Sequence, residues 1–267
     1  MTATTATTLA RTARPRGLTW SSFAATTVMG IKSFYRQPQA LAFTLGQPFI
    51  LLLILNSFNF QFTLPSGEQR PYLDRLLPGL IAFNGMTVGL NSTAFALSRD
   101  KSRGTLRRLR ATPIPTAAFV GGLIVSRVVV AFAVTVITYL AGVYVFGAEL
   151  GGNALVLIAL GVFGAAIFIA IGILMVAAAR SEDDLPPMFI LVLMPSMLFS
   201  GAFLDRGGLP GWLHTATDYL PLTFLAKAVQ QVSLLDAGFG DIRGELLGLV
   251  VWGVAAAGLA AWKFRLA

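Results

Sequence analysis

Apolar residues run along this chain in long blocks separated by short polar breaks, and the block lengths set the first expectations. Near the start, Trp20, Phe23, Ala24, Val28, Ile31, Phe34 and Tyr35 recur three and four apart, with Lys32 and Arg36 close behind. That spacing predicts an amphipathic helix of about six turns over 17–38. Too polar to span, it should lie in the inner interface with its aromatic face in the lipid boundary. Six blocks follow that approach the roughly 17 to 25 apolar residues needed to cross a bilayer. They lie near 40–58, 76–97, 117–146, 153–179, 185–203 and 246–262. The expected fold class is therefore an all-α integral membrane protein with six transmembrane helices occupying 39–267.

The stretch 201–232 between the fifth and sixth blocks is too long and too apolar for a simple loop. It holds two apolar segments of about ten residues, led by Pro210 and Pro221, and neither can span. They predict a re-entrant or interfacial helical hairpin on the outer side, since irregular backbone at membrane depth is tolerated only within protein or along a water-filled cavity. Such a hairpin is a candidate gate. The plainer alternative is a cap that seals the helix ends.

Composition agrees with the membrane reading. Of 267 residues, 55% are hydrophobic and 12% charged, with mean hydropathy +0.74, against roughly 25% charged in soluble domains. The net charge of +8 and pI near 10.4 could suit nucleic acid, but the basic residues flank apolar blocks without interleaved aromatics. Their distribution points to orientation instead. The side carrying the N-terminus, the 98–115 loop, the 180–184 turn and the C-terminus has fourteen basic and four acidic residues, the other side five and eight. Positive charge stays inside, which puts both termini in the cytosol. The Thr/Ala-rich residues 1–16 read as a disordered cytosolic tail without the apolar core of a signal peptide, a transit peptide being the alternative. With no cysteine and one histidine, disulfides, thiolate sites and a His-based metal cluster are excluded.

Residues 98–115, SRDKSRGTLRRLRATPIP, form the strongly charged island. Arg99, Lys101, Arg103, Arg107, Arg108 and Arg110 face one acid, Asp100. Gly104 and Thr105 punctuate the stretch, Leu106 and Leu109 fall three apart on one face, and Pro113 and Pro115 stop it. A helix of two or three turns is marginal alone, so neighbours or a partner should hold it. The alternative is a loop whose only content is the charge that fixes orientation.

Polar residues inside the blocks are costly in lipid and should face protein or water. The second block carries Asn84, Thr87, Asn91, Ser92 and Thr93, with Gly85 and Gly89 at GxxxG spacing. Either they pack helices through small residues and hydrogen bonds, or they line a pathway. Gln47 and Asn56 are open in the same way. Arg127 lies about six residues into its apolar run, roughly 9 Å of rise, so its head can snorkel to the inner surface. His214 reads as an interfacial polar tip. Glu182, Asp183 and Asp184 sit in a turn without evident partners. A membrane-embedded enzyme finds no GxSxG, no HExxH and no acid pair within a block, and an ion-driven secondary transporter would want ionisable residues near the midplane.

Three stretches together resemble the ABC-2 type permeases of ATP-driven exporters, above all the daunorubicin-resistance-like drug exporter subgroup. Tyr35-Arg36-Gln37-Pro38 followed by Pro48 resembles the family's passage from interfacial helix to first span. Arg99-Asp100 through Gly104-Thr105-Leu106, Leu109 and Thr112-Pro113 resembles its cytosolic coupling loop. Ser200-Gly201, Phe203, Pro210, Trp212 and Pro221-Leu222-Thr223 resemble its outer hairpin. The resemblance implies a transport subunit rather than an enzyme, working with ABC ATPase subunits and a second permease as homodimer or heterodimer. It implies ATPase coupling through Arg99, Asp100, Arg103, Gly104, Thr105, Leu106, Leu109 and Pro113. It also implies a pathway between the second and fifth spans, with Asn84, Thr87, Asn91, Met188, Met194, Met197 and Phe199 on its wall and Gly201, Phe203 and Pro221 at its gate. No GxxxxGK[ST] loop occurs, so ATP and magnesium belong to the partner ATPase. The expected cargo is an amphipathic drug, lipid or natural product, exported across a bacterial inner or plasma membrane.

Overall fold

The computed structural model describes residues 16–36, 38–57, 61–63, 67–102, 116–203 and 210–266. Helices α1 (Arg16–Tyr35) and α2 (Pro38–Ser57) come first, then a short antiparallel pair, β1 (Gln61–Thr63) and β2 (Gln69–Pro71), in which Phe62 lies opposite Arg70. Helix α3 (Tyr72–Thr87) continues through a π turn (Val88–Ser92) into α4 (Thr93–Ser102). Helix α5 (Thr116–Leu140) runs into a second π turn, Ala141–Val145, and α6 (Ala154–Ala178) follows. A 3-10 turn (Glu182–Asp184), α7 (Leu185–Phe199), α8 (Gly211–Asp218), α9 (Pro221–Leu235) and α10 (Arg243–Leu266) complete the order.

Among the described residues, four helical runs are long and apolar enough to cross a membrane, namely Tyr72–Arg99, Ala118–Val145, Ala154–Ala178 and Arg243–Lys263. They are the second, third, fourth and sixth of the expected spans. The first expected span is α2, whose apolar part Thr44–Ile54 is shorter. The fifth is corrected. Helix α7 has 15 residues and ends at Phe199, not 203. At 1.5 Å per residue it covers about 22 Å, short of a hydrocarbon core of about 30 Å. Gly201, at φ 81°, turns the chain there, a conformation that other residues adopt only at a cost.

Helices α3 and α6 lie at the centre, and the reason is a seam of small residues. A Cβ on Gly85 would come within 2.9 Å of the Gly161 carbonyl, and one on Gly89 within 2.6 Å of the Ala165 carbonyl. Further along, a Cβ on Gly172 would meet the Leu90 carbonyl at 3.0 Å. Without a hydrophobic drive between helices in lipid, such close backbone approach is what packing requires. Around this pair stand α2, α4, α5, α9 and α10. Their packing buries Leu76, Leu77, Leu80, Ile81, Phe83 and Met86 of α3 completely.

The outer helices show one face each. On α10 the buried positions Leu249, Gly253, Ala256 and Ala260 recur three and four apart, while Val250, Val251, Val254, Leu259 and Trp262 are exposed. That is one buried stripe on a helix whose other side is exposed and apolar. On α1 the aromatic set divides, which corrects the single lipid-facing surface expected of it. Phe23 packs on Gly121 and Gly122 of α5, and Phe34 is buried with Val88, Val130 and Val134. Trp20, Val28, Met29 and Tyr35 remain exposed on the far side.

Candidate functional site

The long helix through α3 and α4 joins the two regions that the sequence singles out. Its α4 end leads into the basic loop, with Arg99 exposed on the last turns and Asp100 within the helix. Arg103, Gly104, Thr105, Leu106, Leu109 and Pro113 lie outside the described residues. Its opposite end meets the segment after α7. A Cβ on Gly79 would collide with the Ala202 carbonyl, and the Phe83 ring meets Phe203 edge to face at 5.1 Å, a geometry that aromatic quadrupoles favour.

Midway lies the polar seam. Asn84 is buried, and its Nδ2 donates to Thr138 Oγ1 on α5 at 2.9 Å. Thr87 is half-buried and returns its hydroxyl to the Asn84 carbonyl at 3.2 Å. The Asn84 side chain thus joins α3 to α5, whereas the Thr87 hydroxyl turns back onto its own helix. Asn91 is half-buried in the π turn. The i+5 geometry of such a turn departs from the regular ladder and is frequent at functional sites. On α7 the side chains divide: Met194 is exposed, Met197 and Phe199 are half-buried, and the fully buried positions are Leu185 and Ser196.

Arg127 does not sit where its expected snorkelling would put it. It is 6% exposed and nine residues into the run Ala118–Val145, about 14 Å along the helix. Helix α1 packs on α5 at the neighbouring position, with Gly30 against Ser126.

The hairpin is built from two proline-led helices, as its sequence predicts. Pro210 caps α8 and Pro221 opens α9, where a missing N–H costs nothing. Helix α9 is deeply packed: Leu225 touches Gly164 of α6 and would lie 3.6 Å from a Cβ on Gly85 of α3. Phe224 covers Gly248 of α10. Gln230 Nε2 donates to the Gly201 carbonyl at 2.9 Å, Thr223 Oγ1 to the Thr217 carbonyl at 2.7 Å, and Trp252 Nε1 of α10 to the Tyr219 carbonyl at 2.9 Å. The end of α9 is tied as well. Gly151 N donates to the Ser233 carbonyl at 2.8 Å, and in the same 147–152 turn Glu149 N donates to the buried Asp74 carboxylate at 2.9 Å. Gly201, Phe203 and Pro221, the expected gate residues, are all buried where α3, α7 and α9 converge.

Two groups escaped the sequence reading. His214, Asp218 and Lys227 come together: Lys227 Nζ lies 2.8 Å from Asp218 Oδ1, and His214 Nδ1 lies 3.4 Å from Asp218 Oδ2. The available signal was the i, i+4 spacing of His214 and Asp218 and the proline turn that folds Lys227 back toward them. The acidic turn 182–184 is also not without partners. Asp184 Oδ2 accepts from Arg180 N at 2.8 Å and Ser181 N at 3.0 Å, closing a capping box with Ser181. These amides hold the Asp184 carboxyl below the usual aspartate range, and acids at the start of α7 complement its dipole.

Comparison with known proteins gives these regions a common frame. The family model described as ABC-2 type transporter matches residues 21–234. The chain is 30% identical to the daunorubicin resistance ABC transporter permease protein DrrB1 of Streptomyces coeruleorubidus over 221 residues, 80% of this chain and 75% of that protein. It is 24% identical over 178 residues to the probable multidrug ABC transporter permease YbhR of Escherichia coli, covering 66% of this chain and 48% of that one. Over 192 residues it is 23% identical to ABC transporter G family member 20 of Dictyostelium discoideum, 71% of this chain. The match spans about half the length of YbhR and a quarter, 26%, of the Dictyostelium protein.

Proposed function

The chain belongs to the ABC-2 type transporter family, and on that premise we propose that it is the multi-pass permease subunit of an ATP-driven exporter. Two permease subunits, either two copies of this chain or this chain with a second permease, work with ABC ATPase subunits. Those ATPase subunits bind the ATP and magnesium, since this sequence has no GxxxxGK[ST] loop. Six passes, with α2 and α7 as the shorter two, leave both termini in the cytosol of a bacterial inner or plasma membrane. Cargo is an amphipathic drug, lipid or natural product, a class in keeping with the names of the DrrB1 and YbhR relatives.

The observation that carries this reading is the unbroken helical path from Tyr72 to Ser102. One end abuts the hairpin at Gly79 and Phe83, and the other delivers the basic loop. Packed on most sides, α3 moves as a body rather than bending, so displacement of the loop by the ATPase pair reaches the contacts of Ala202 and Phe203. Alternating access then follows provided that the two states contact the loop differently. Arg99, Asp100 and Arg103 supply polar contacts to the ATPase, and Leu106 and Leu109 the apolar ones. Asn84 holds the lever to α5, while Thr87, Asn91, Met194, Met197 and Phe199 belong to the pathway.

The test is to express the double variant Leu106→Asp, Leu109→Asp with the cognate ATPase. A carboxylate buried without a partner costs several kcal/mol, so co-purified ATPase and export should both fall by at least about tenfold. Full retention of both would remove the loop from coupling and leave it as an orientation signal.

A further inference from the structure

Within the hairpin, ionisable side chains sit partway along the candidate span Arg243–Lys263 rather than at its end. Gln231 Nε2 donates to Glu245 Oε1 at 3.1 Å, which sets the last turn of α9 level with the polar start of α10. Lys227 is one turn deeper, about 6 Å. The Tyr219 carbonyl, next to Asp218, is held by Trp252, seven residues beyond Glu245 and about 10 Å down α10. Asp218 and Lys227 are thus an ion pair below the polar rim. Their side chains are nevertheless 34% and 40% exposed, and that of His214 47%. Charges at such depth are rare and face a bundle interior or a water-filled cavity. With α7 carrying no charged residue, no other charged side chain comes from the helix that packs beside both halves of the hairpin.

We infer that the Asp218–Lys227 pair is a latch on the water-facing side of the hairpin, holding α8 down on α9 and keeping the outward exit shut at rest. Helix α9 is fixed by Leu225, Phe224 and Gln230, whereas α8 is exposed along most of its length. Among the bonds that cross between the two are the Asp218–Lys227 contact and the Thr223 hydroxyl on the Thr217 carbonyl. His214 braces the same carboxylate from within α8. Opening the exit then requires separating one ion pair in the presence of water, a cost small enough for the lever to supply. This inference rests on the export reading, which gives the hairpin an exit to close.

The experiment uses the absence of cysteine in the chain. Ala202, fully buried next to the Gly201 carbonyl that Gln230 holds, is changed to Cys in the full permease in proteoliposomes. Its labelling is timed with two membrane-impermeant thiol reagents, one cationic and one anionic. Asp218→Asn and Lys227→Met should each accelerate labelling about fivefold with both reagents, the population shift typical of losing one partly exposed ion pair. The exchanged pair, Asp218→Lys with Lys227→Asp, should return it to within about twofold of the parent. Unchanged labelling in both single variants overturns the latch, and so does acceleration that the exchange fails to reverse, which would mean general loosening. Labelling needs neither ATPase nor cargo. If the latch behaves as described while the parent exports nothing with its ATPase, the export reading falls and the latch stands.

Discussion

The two halves of the hairpin read alike in sequence and end in opposite surroundings. Both α8 and α9 are too short to span and are led by proline. Helix α9 buries Leu222, Leu225, Ala226, Ala228, Val229 and Val232 completely or nearly so, whereas α8 buries Thr217 alone and leaves Trp212 74% exposed. The difference lies in the surfaces they meet. Gly164 and Gly248 open slots into which Leu225 and Phe224 fit. Among the described residues, no glycine has a side chain of α8 against it, and Trp212, His214 and Asp218 suit a boundary with water. A segment too short to span can therefore be a core helix or a cover, and glycines on other helices decide which.

The comparison is broken most strongly at Leu225. Leu225→Ala should lower stability in detergent by about 2–4 kcal/mol through the cavity left between Gly85 and Gly164. Leu213→Ala on α8, half-buried, should cost less than about 1 kcal/mol. Thermal unfolding of the two purified variants measures the gap, and equal losses would show that α8 is as much core as α9.

A smaller effect sharpens it. Trp252→Phe keeps the ring but removes the donor to the Tyr219 carbonyl, one of the bonds that anchors the α8–α9 corner. The expected loss is about 1 kcal/mol. Hydrogen exchange should quicken in α8 and stay unchanged in α9. Protection lost equally from both would mean that they open as one unit.

The smallest effect belongs to the start of α7, the helix beside both. Because the Asp184 carboxyl is held below the usual aspartate range by the Arg180 and Ser181 amides, its contribution is present above the unfolded aspartate value, 3.8. It is lost as pH falls through the lower folded value. Asp184→Asn should therefore be slightly less stable than the parent at pH 7, with the difference shrinking as pH falls through the lowered folded value. Melting curves across that range follow it, and a constant difference would assign the effect to something other than the charge.

Periodicity and block length made the helical architecture legible, because a span must be apolar over its whole length whatever it packs against. The hairpin was legible from Pro210 and Pro221, whose positions at helix starts follow from the missing N–H. What could not be read was tertiary. The fit of Leu225 between Gly85 and Gly164 joins three distant stretches, while the bond from Glu149 to Asp74 and the packing of α1 on α5 at Ser126 each join two. The early end of α7 depends on a backbone turn at Gly201 that apolarity does not register. Among the candidate residues, Asn84 was legible as costly in lipid, but its partner Thr138 was not, since a threonine in a span carries little signal of its own. The Asp218–Lys227 pair was hidden because its members fall on either side of a turn.

The π turn at Val88–Ser92 sets an angular phase. Each such turn holds one residue more than a turn of α-helix, so everything beyond it is rotated by about 100° relative to an uninterrupted helix of the same length. Gly85 and Gly89 can thus face α6 while the basic end beyond Thr93 points along a different bearing. Deleting a single residue from the turn would leave nearly the same composition, the same apolar length within about 1.5 Å and the same charge. It would swing Arg99 to another quadrant of the helix. In this lever the angle is a quantity as definite as the length, and one inserted residue encodes it.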